Sequence, residues 1–218
     1  MRSGKMRHSN STWSLSAWTN HYNKRKRKSS PEEPPEPTRR PSLVETVYDI
    51  NRIDAKGRSL LFYAAQCDQP EVAVQLINAG CDANIADHHG NTPLHEAAEY
   101  GHIEIVNLLI EKGKCRLNPI NALGQTPLMK AVANDNLQIC KILIKAGCDK
   151  DSLDHLNRSA LLIGLREGSE DSVLYLLKSG SDVNIVDGEG HSALYYAVFS
   201  TYLTSLLIAK KLMHTSKL

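Results

Sequence analysis

The sequence lacks paired-cysteine motifs, long apolar runs and catalytic signatures, and each absence removes a class of protein. The five cysteines, Cys67, Cys81, Cys115, Cys140 and Cys148, form no CxxC pair. Their odd number suits free thiols in a reducing compartment better than a secreted disulfide scaffold. The longest apolar runs, Leu161-Leu162-Ile163 and Leu206-Leu207-Ile208-Ala209, fall far below the roughly 18 residues a membrane-spanning helix requires. No apolar stretch follows Met1, so no secretory signal is expected. The first 31 residues contain no acid, as in a mitochondrial presequence, yet they form no apolar helical face. No Gly-rich phosphate loop follows a strand, and there is no G-x-S-x-G elbow. Catalytic residues, cofactors and metals are not expected.

Charge is distributed unevenly. Residues 1–42 hold ten Lys/Arg against three Glu, which leaves 16 basic and 21 acidic residues in the other 176. The same 42 residues are rich in Ser, Asn and Pro and show no helical or strand period, so they are expected to be a disordered tail.

Beyond Pro41 the sequence repeats itself. Asp54-x-x-Gly57, Asp87-x-x-Gly90, Asn121-x-x-Gly124, Asp154-x-x-Asn157 and Asp187-x-x-Gly190 are spaced by 33, 34, 33 and 33 residues. Such a period marks a solenoid, whose units bury their apolar faces only against each other. Each unit has a tight turn, a Ser/Thr, a short Ala-rich helix, a break, an apolar helix and a closing Gly-x-Asp-x-Asn-like segment. In the second unit Thr92 can cap a helix opening at Pro93, Gly101 permits a reversal, and Ile103, Ile105, Val106, Leu108, Leu109 and Ile110 make a second apolar stripe ending near Gly113. Ala97 and Ala98 are small enough for adjacent helix pairs to approach closely.

The run NTPLHEAAEYGH, followed by IVNLLIEKG, resembles an ankyrin repeat, whose signature is T-P-L-H-x-A at a period of 33. The resemblance covers residues 49–218, about four fifths of the chain. The third unit keeps QTPLMKA, whereas Ser59, Ser159 and Ser192 replace the capping Thr elsewhere and Leu60, Ala160 and Ala193 replace the Pro. The resemblance implies an all-α ankyrin-repeat solenoid of helix-turn-helix units with short β-hairpin fingers. The boundaries read from the markers are a tail at 1–42 and a repeat domain at 43–218. Within the domain, a partial cap at 43–53 precedes repeats at 54–86, 87–120, 121–153, 154–186 and 187–218. The fifth repeat departs most: Thr201 stands where Gly101 does, and Ser205 and Ala209 replace Ile105 and Leu109.

Four histidines lie between His88 and His102, and His95-Glu96-Ala97-Ala98-Glu99 is one residue short of the zinc motif HExxH. Glu99 holds the place of the second imidazole, which disfavours a metal-dependent enzyme. By the resemblance, His95 instead orients the turn beside Thr92, and His102 opens the second helix. The resemblance also implies a non-catalytic adaptor or regulator, monomeric, that binds a protein on the concave surface lined by fingers and first helices. Counted from each opening Asp or Asn, the partner-facing residues are Lys56, Arg58 and Gln66 in the first unit and His88, His89, Asn91, Glu99 and Tyr100 in the second. Leu123, Gln125 and Asn134 follow in the third, His155, Leu156, Arg158 and Arg166 in the fourth, and Glu189, His191 and Phe199 in the fifth.

The two ends carry short motifs. Lys24-Arg25-Lys26-Arg27-Lys28 reads as a nuclear import signal that an importin would take, or as a solubilising charge block. As a nucleic-acid patch it would give only salt-sensitive, sequence-blind affinity, so a nucleic-acid-associated regulator is the alternative function. Pro34-Pro35-Glu36-Pro37-Thr38-Arg39 fits an SH3-type ligand and equally a stiff linker. Trp13 and Trp18, the only tryptophans, lie in this tail and suggest a short docking motif. Ser216-Lys217-Leu218 matches a peroxisomal address, the alternative to a nuclear or cytoplasmic location.

Overall fold

The structure, a computed structural model, describes residues 49–199, without the side chain of Phe199. The expected tail at 1–42 with its basic run, the part of the expected cap before Asp49, the expected second helix of the fifth repeat and the terminal Ser-Lys-Leu lie outside the described residues.

Two helices alternate through the first four units: α1 (Leu60–Gln66) and α2 (Pro70–Asn78), α3 (Pro93–Tyr100) and α4 (Ile103–Glu111), α5 (Pro127–Ala133) and α6 (Leu137–Lys145), α7 (Ala160–Glu167) and α8 (Glu170–Lys178). The fifth unit begins α9 (Ala193–Tyr196), which runs into a 3-10 turn at Ala197–Phe199. Each first helix packs on the next first helix, and each second helix on the next second helix. No described helix is long and apolar enough to cross a membrane.

Local chemistry explains where the first helices start. The Ser59, Thr126 and Ser159 side chains accept from the backbone N–H three residues on, while Pro93 and Pro127 occupy the first turn, where a missing donor costs nothing. The reversal between paired helices takes a positive φ at Gly101 and Gly168, and Asp68 and Asp135 adopt the same region. The second unit's extra residue is absorbed just after α4, where Lys114 rather than Gly113 carries the positive φ.

The core runs the length of the stack. Leu61, Leu94, Leu128 and Leu161 on the first helices are buried with Leu76, Leu109, Leu143 and Leu176 on the second. Ala64, Ala97 and Ala131 are buried where first helices meet. Cys81 and Cys148 fill equivalent small buried sites, and burial raises their thiols to about 11 and about 12, so both stay protonated and inert.

The fingers differ from the expected β-hairpins. Among the described residues there is no strand, and only an isolated antiparallel bridge joins Val186 and Ser192. The opening side chain consumes the donors that a ladder would need. Asp54, Asp87, Asn121, Asp154 and Asp187 each accept from the backbone N–H groups two and four residues on. One backbone bond then links each finger to the one before it: His88 to Lys56, Ala122 to His89, His155 to Leu123 and Gly188 to Leu156.

Candidate functional site

The stack places one finger per unit in register, and the residue pair closing each unit ties it to the next. The side-chain oxygens of Asn51, Asn84, Asn118 and Asp151 accept from the N–H groups of Asp82, Arg116, Asp149 and Asp182. The finger row is thus a fixed base on which tip side chains can vary without disturbing the core.

Several expected partner-facing residues project from that row. Lys56, His88, His89, Leu123, His155, Leu156 and Glu189 are exposed at the tips, and Tyr100, Asn134 and Arg166 are exposed on the first helices or just beyond them. Tyr100 stacks on His102, with ring centroids 6.0 Å apart. Leu123 and Leu156 are 61% and 58% exposed, so packing between fingers does not account for them. The Phe199 side chain lies outside what the structure describes.

Other expected residues are spent on the scaffold. Arg58 and Arg158 fold back onto Asp54 and Asp154, with ion pairs of 2.9 and 2.7 Å. Burial works against the Asp54 charge, but hydrogen bonds from the Arg58 N–H, the Tyr63 hydroxyl, the Lys56 N–H and the Arg58 side chain hold its carboxyl well below the usual range. Asn91 accepts from the Asn121 amide at 3.0 Å, and the same amide reaches Gln125 at 3.5 Å. Gln66 donates to Glu96 at 2.9 Å, Glu99 pairs with Lys130 at 3.0 Å, and His191 lies 3.3 Å from Glu189.

His95, the central residue of the near-zinc motif, has both ring nitrogens engaged. The Thr92 N–H donates to Nδ1 at 3.1 Å, so Nε2 carries the proton and donates to the Gln125 carbonyl of the next finger at 2.9 Å. No lone pair remains for a metal. Burial holds its pKa at about 4, keeping the ring neutral. Glu96, buried beside it, has its pKa raised by burial and then by Glu99. Among the described residues no three His, Cys, Asp or Glu side chains are grouped to hold a metal ion.

The row also contains residues missed by the reading of the sequence. Ile53, Ile120, Leu153 and Val186 directly precede the opening Asp or Asn of four fingers, and all four are exposed, by 48, 61, 45 and 50%. The signal was an apolar residue recurring at that one step of the period, with Ala86 as the exception. Ile120, Leu153 and Val186, with Leu123 and Leu156, give the last three fingers exposed apolar side chains, while the first two expose Lys56, His88 and His89, with Ile53 beside the first.

A fixed stack of two-helix units with a displayed row of fingers defines a solenoid scaffold. The chain belongs to the ankyrin-repeat family: the family model for ankyrin repeats (3 copies) matches residues 40–121 and 114–187. Among known proteins it is 29% identical over 147 residues to neurogenic locus notch homolog protein 1 of Homo sapiens, covering 67% of this chain and 6% of that protein. It is 27% identical over 208 residues to the ankyrin repeat protein nuc-2 of Neurospora crassa, covering 78% of this chain and 19% of that protein. The chain therefore spans a small part of these relatives. Ankyrin repeats generally mediate protein–protein interaction, and the family is typically non-catalytic.

Proposed function

We propose that this chain is a non-catalytic adaptor or regulatory protein that holds a protein partner along its finger row and first-helix face. The observation that carries this reading is the apolar run Ile120, Leu123, Leu153, Leu156 and Val186 on three successive fingers, all exposed. Contiguous exposed apolar surface on a soluble scaffold is a mark of an interaction site. Stacked helices repeat at roughly 8–10 Å, about the span of three residues of extended chain. A partner segment with an apolar side chain at every third position would therefore meet Ile120, Leu153 and Val186 in turn. Tyr100, supported by His102, supplies an aromatic anchor of the kind that dominates interface energies.

Affinity capture tests the reading. Tyr100→Ala combined with Leu123→Ser is expected to weaken capture at least tenfold, about 1.4 kcal/mol, with the melting temperature nearly unchanged. Undiminished capture by the folded double variant would place the partner elsewhere on the chain.

The basic run Lys24–Lys28 supports a second element of the proposal, import into the nucleus through an importin, with the cytoplasm as the other location. Replacing the five residues by Ala is expected to drain a tagged protein from the nucleus. Punctate signal abolished by a tag after Leu218 would favour the peroxisomal address instead. The alternative, a nucleic-acid-associated regulator, is disfavoured because one basic run without a docking fold gives only sequence-blind affinity; its binding would fall steeply with salt and survive deletion of the repeats.

A further inference from the structure

Five fingers built on one pattern allow each step to be compared with its equivalents, and one step changes in order along the row. Two residues past the opening Asp or Asn stand Lys56, His89, Leu123, Leu156 and Glu189, all exposed. The opening side chain accepts from the backbone N–H of each, so their backbone setting repeats while their chemistry does not. The series runs from a cation through an imidazole and two leucines to a carboxylate. Arg52, also exposed, adds a second cation beside the first finger. In residues 52–58 and 85–91 the only acids are Asp54 and Asp87, and both are occupied. Asp54 pairs with Arg58 and accepts from the Tyr63 hydroxyl, and Asp87 accepts from the His89 and Asn91 N–H groups. At the far end Glu189 lies 3.3 Å from His191, with its side chain still 80% exposed.

We propose that the row takes one partner chemistry in one order: an extended peptide segment with an acidic residue over the first finger and apolar residues over the third and fourth. The proposal rests on the finger row being the protein-binding surface and adds what that surface selects. The step between stacked helices, roughly 8–10 Å, matches about three residues of extended chain. An acid over Lys56 therefore stands about six residues from the apolar side chain over Leu123, and a second apolar side chain follows about three residues further on, over Leu156. Ile120 and Leu153, exposed on the same two fingers, widen those apolar contacts. His89 on the second finger adds an imidazole N–H, a donor to an acid or a backbone carbonyl. Lys56 and Glu189 are four steps apart, on the order of 35 Å and several Debye lengths, so each acts on its own end of the segment. Lys56 attracts the acid and Glu189 repels it, which sets the order of the segment as well as its composition.

Selection from a phage-displayed library of random peptides of roughly 16 residues, long enough to cross the five fingers, is the test. The intact 218-residue chain is the target, and the selected peptides are resynthesised for fluorescence anisotropy. They are expected to carry Asp or Glu about six residues from the first of two apolar side chains. Lys56→Glu is expected to weaken such a peptide about fivefold at low salt and less at high salt, and reselection on that variant to replace the acid by Lys or Arg. Leu123→Ser is expected to weaken it about fivefold at either salt. Should Lys56→Glu lower the melting temperature, Lys56→Gln is expected to move the affinity in the same direction, by about twofold. Peptides that depend on Leu123 but are indifferent to Lys56→Glu, in affinity and in selected composition, overturn the proposal and leave the finger row as the binding surface. A selection that yields no peptide also overturns it, since no short extended segment is then taken. Peptides indifferent to both Leu123→Ser and Tyr100→Ala instead sink the finger-row reading, and the proposal with it.

Discussion

In the second unit Leu94, His95 and Ala98 have no exposed surface, whereas Leu194, Tyr195 and Val198 stand at the same steps of the fifth unit and face solvent. The local instructions are nearly the same: Asp87 and Asp187 fold their fingers with the same pair of backbone bonds. Gly90 and Gly190 both take a positive φ, and a Thr or Ser precedes each helix. The difference therefore lies outside the unit. A solenoid unit gets its turn from its own residues and its burial from the unit that follows.

The strongest way to break that comparison is to truncate the same leucine in both units. Leu94→Ala truncates a fully buried side chain of α3, a helix packed against both α1 and α5, and is expected to cost roughly 3 kcal/mol. Leu194→Ala, at a half-open site, is expected to cost under about 1 kcal/mol. Urea unfolding of the two variants measures both, and equal losses would mean that Leu194 is covered in solution.

A second break uses proton linkage at His95, whose neutral ring bridges Thr92 to the next finger. Its folded pKa of about 4 lies below the ordinary 6.5, so between those values the unfolded chain binds the proton and the folded chain does not. Stability is then present above pH 6.5 and is lost as pH falls towards 4. Glu96, with its pKa raised, works in the opposite direction, since its protonation favours the fold. The net loss between pH 7 and 4.5 is expected to be about 2 kcal/mol. Urea melts of wild type and His95→Gln should show a shallower pH dependence in the variant, whatever its absolute stability.

What the sequence made legible follows the same division. Period, caps and reversals depend on residues within about four positions, so Thr126 with Pro127, Gly101 and Asn157 could be assigned from their neighbours alone, and their backbone angles agree. The fingers were misread as strand hairpins because the bonds that replace the ladder come from the Asp side chain, which competes with it unseen. The exposure of Ile53, Ile120, Leu153 and Val186 was equally hidden. An apolar residue beside a buried Asp or Asn reads as core unless the neighbouring finger is known to leave it uncovered. Arg58 and Arg158 were read as outward-facing, but each sits four residues from a carboxylate that captures it.

Glycine substitution sharpens the comparison at smaller scale. Gly124 and Gly190 have φ of 74° and 83°, so alanine is strained at either, by about 1 kcal/mol. At Gly124 the new Cβ would also lie 2.7 Å from the His155 backbone nitrogen, in the next finger, while at Gly190 nothing comes within 4 Å. Gly124→Ala is expected to cost about 2 kcal/mol and Gly190→Ala about 1. Thermal melts that fail to separate the two would indicate that the fingers yield to the added carbon without loss.

The smallest expected effect concerns the helix caps. Ser59, fully buried, accepts from the Phe62 N–H at 3.2 Å, satisfying a donor that the first turn of α1 leaves without an intrahelical partner. Ser192 holds the same position before α9, in extended backbone, yet its side chain makes no capping bond. Alanine at Ser59 strands a buried N–H and is expected to cost about 1 kcal/mol, whereas alanine at Ser192 removes no bond and is expected to change stability by less than about 0.5 kcal/mol. Hydrogen exchange gives the more specific reading, because the Phe62 amide should lose protection in Ser59→Ala while the equivalent Tyr195 amide is indifferent to Ser192→Ala. If Ser192→Ala instead destabilises the chain as much as Ser59→Ala, the fifth unit is capped in solution like the first.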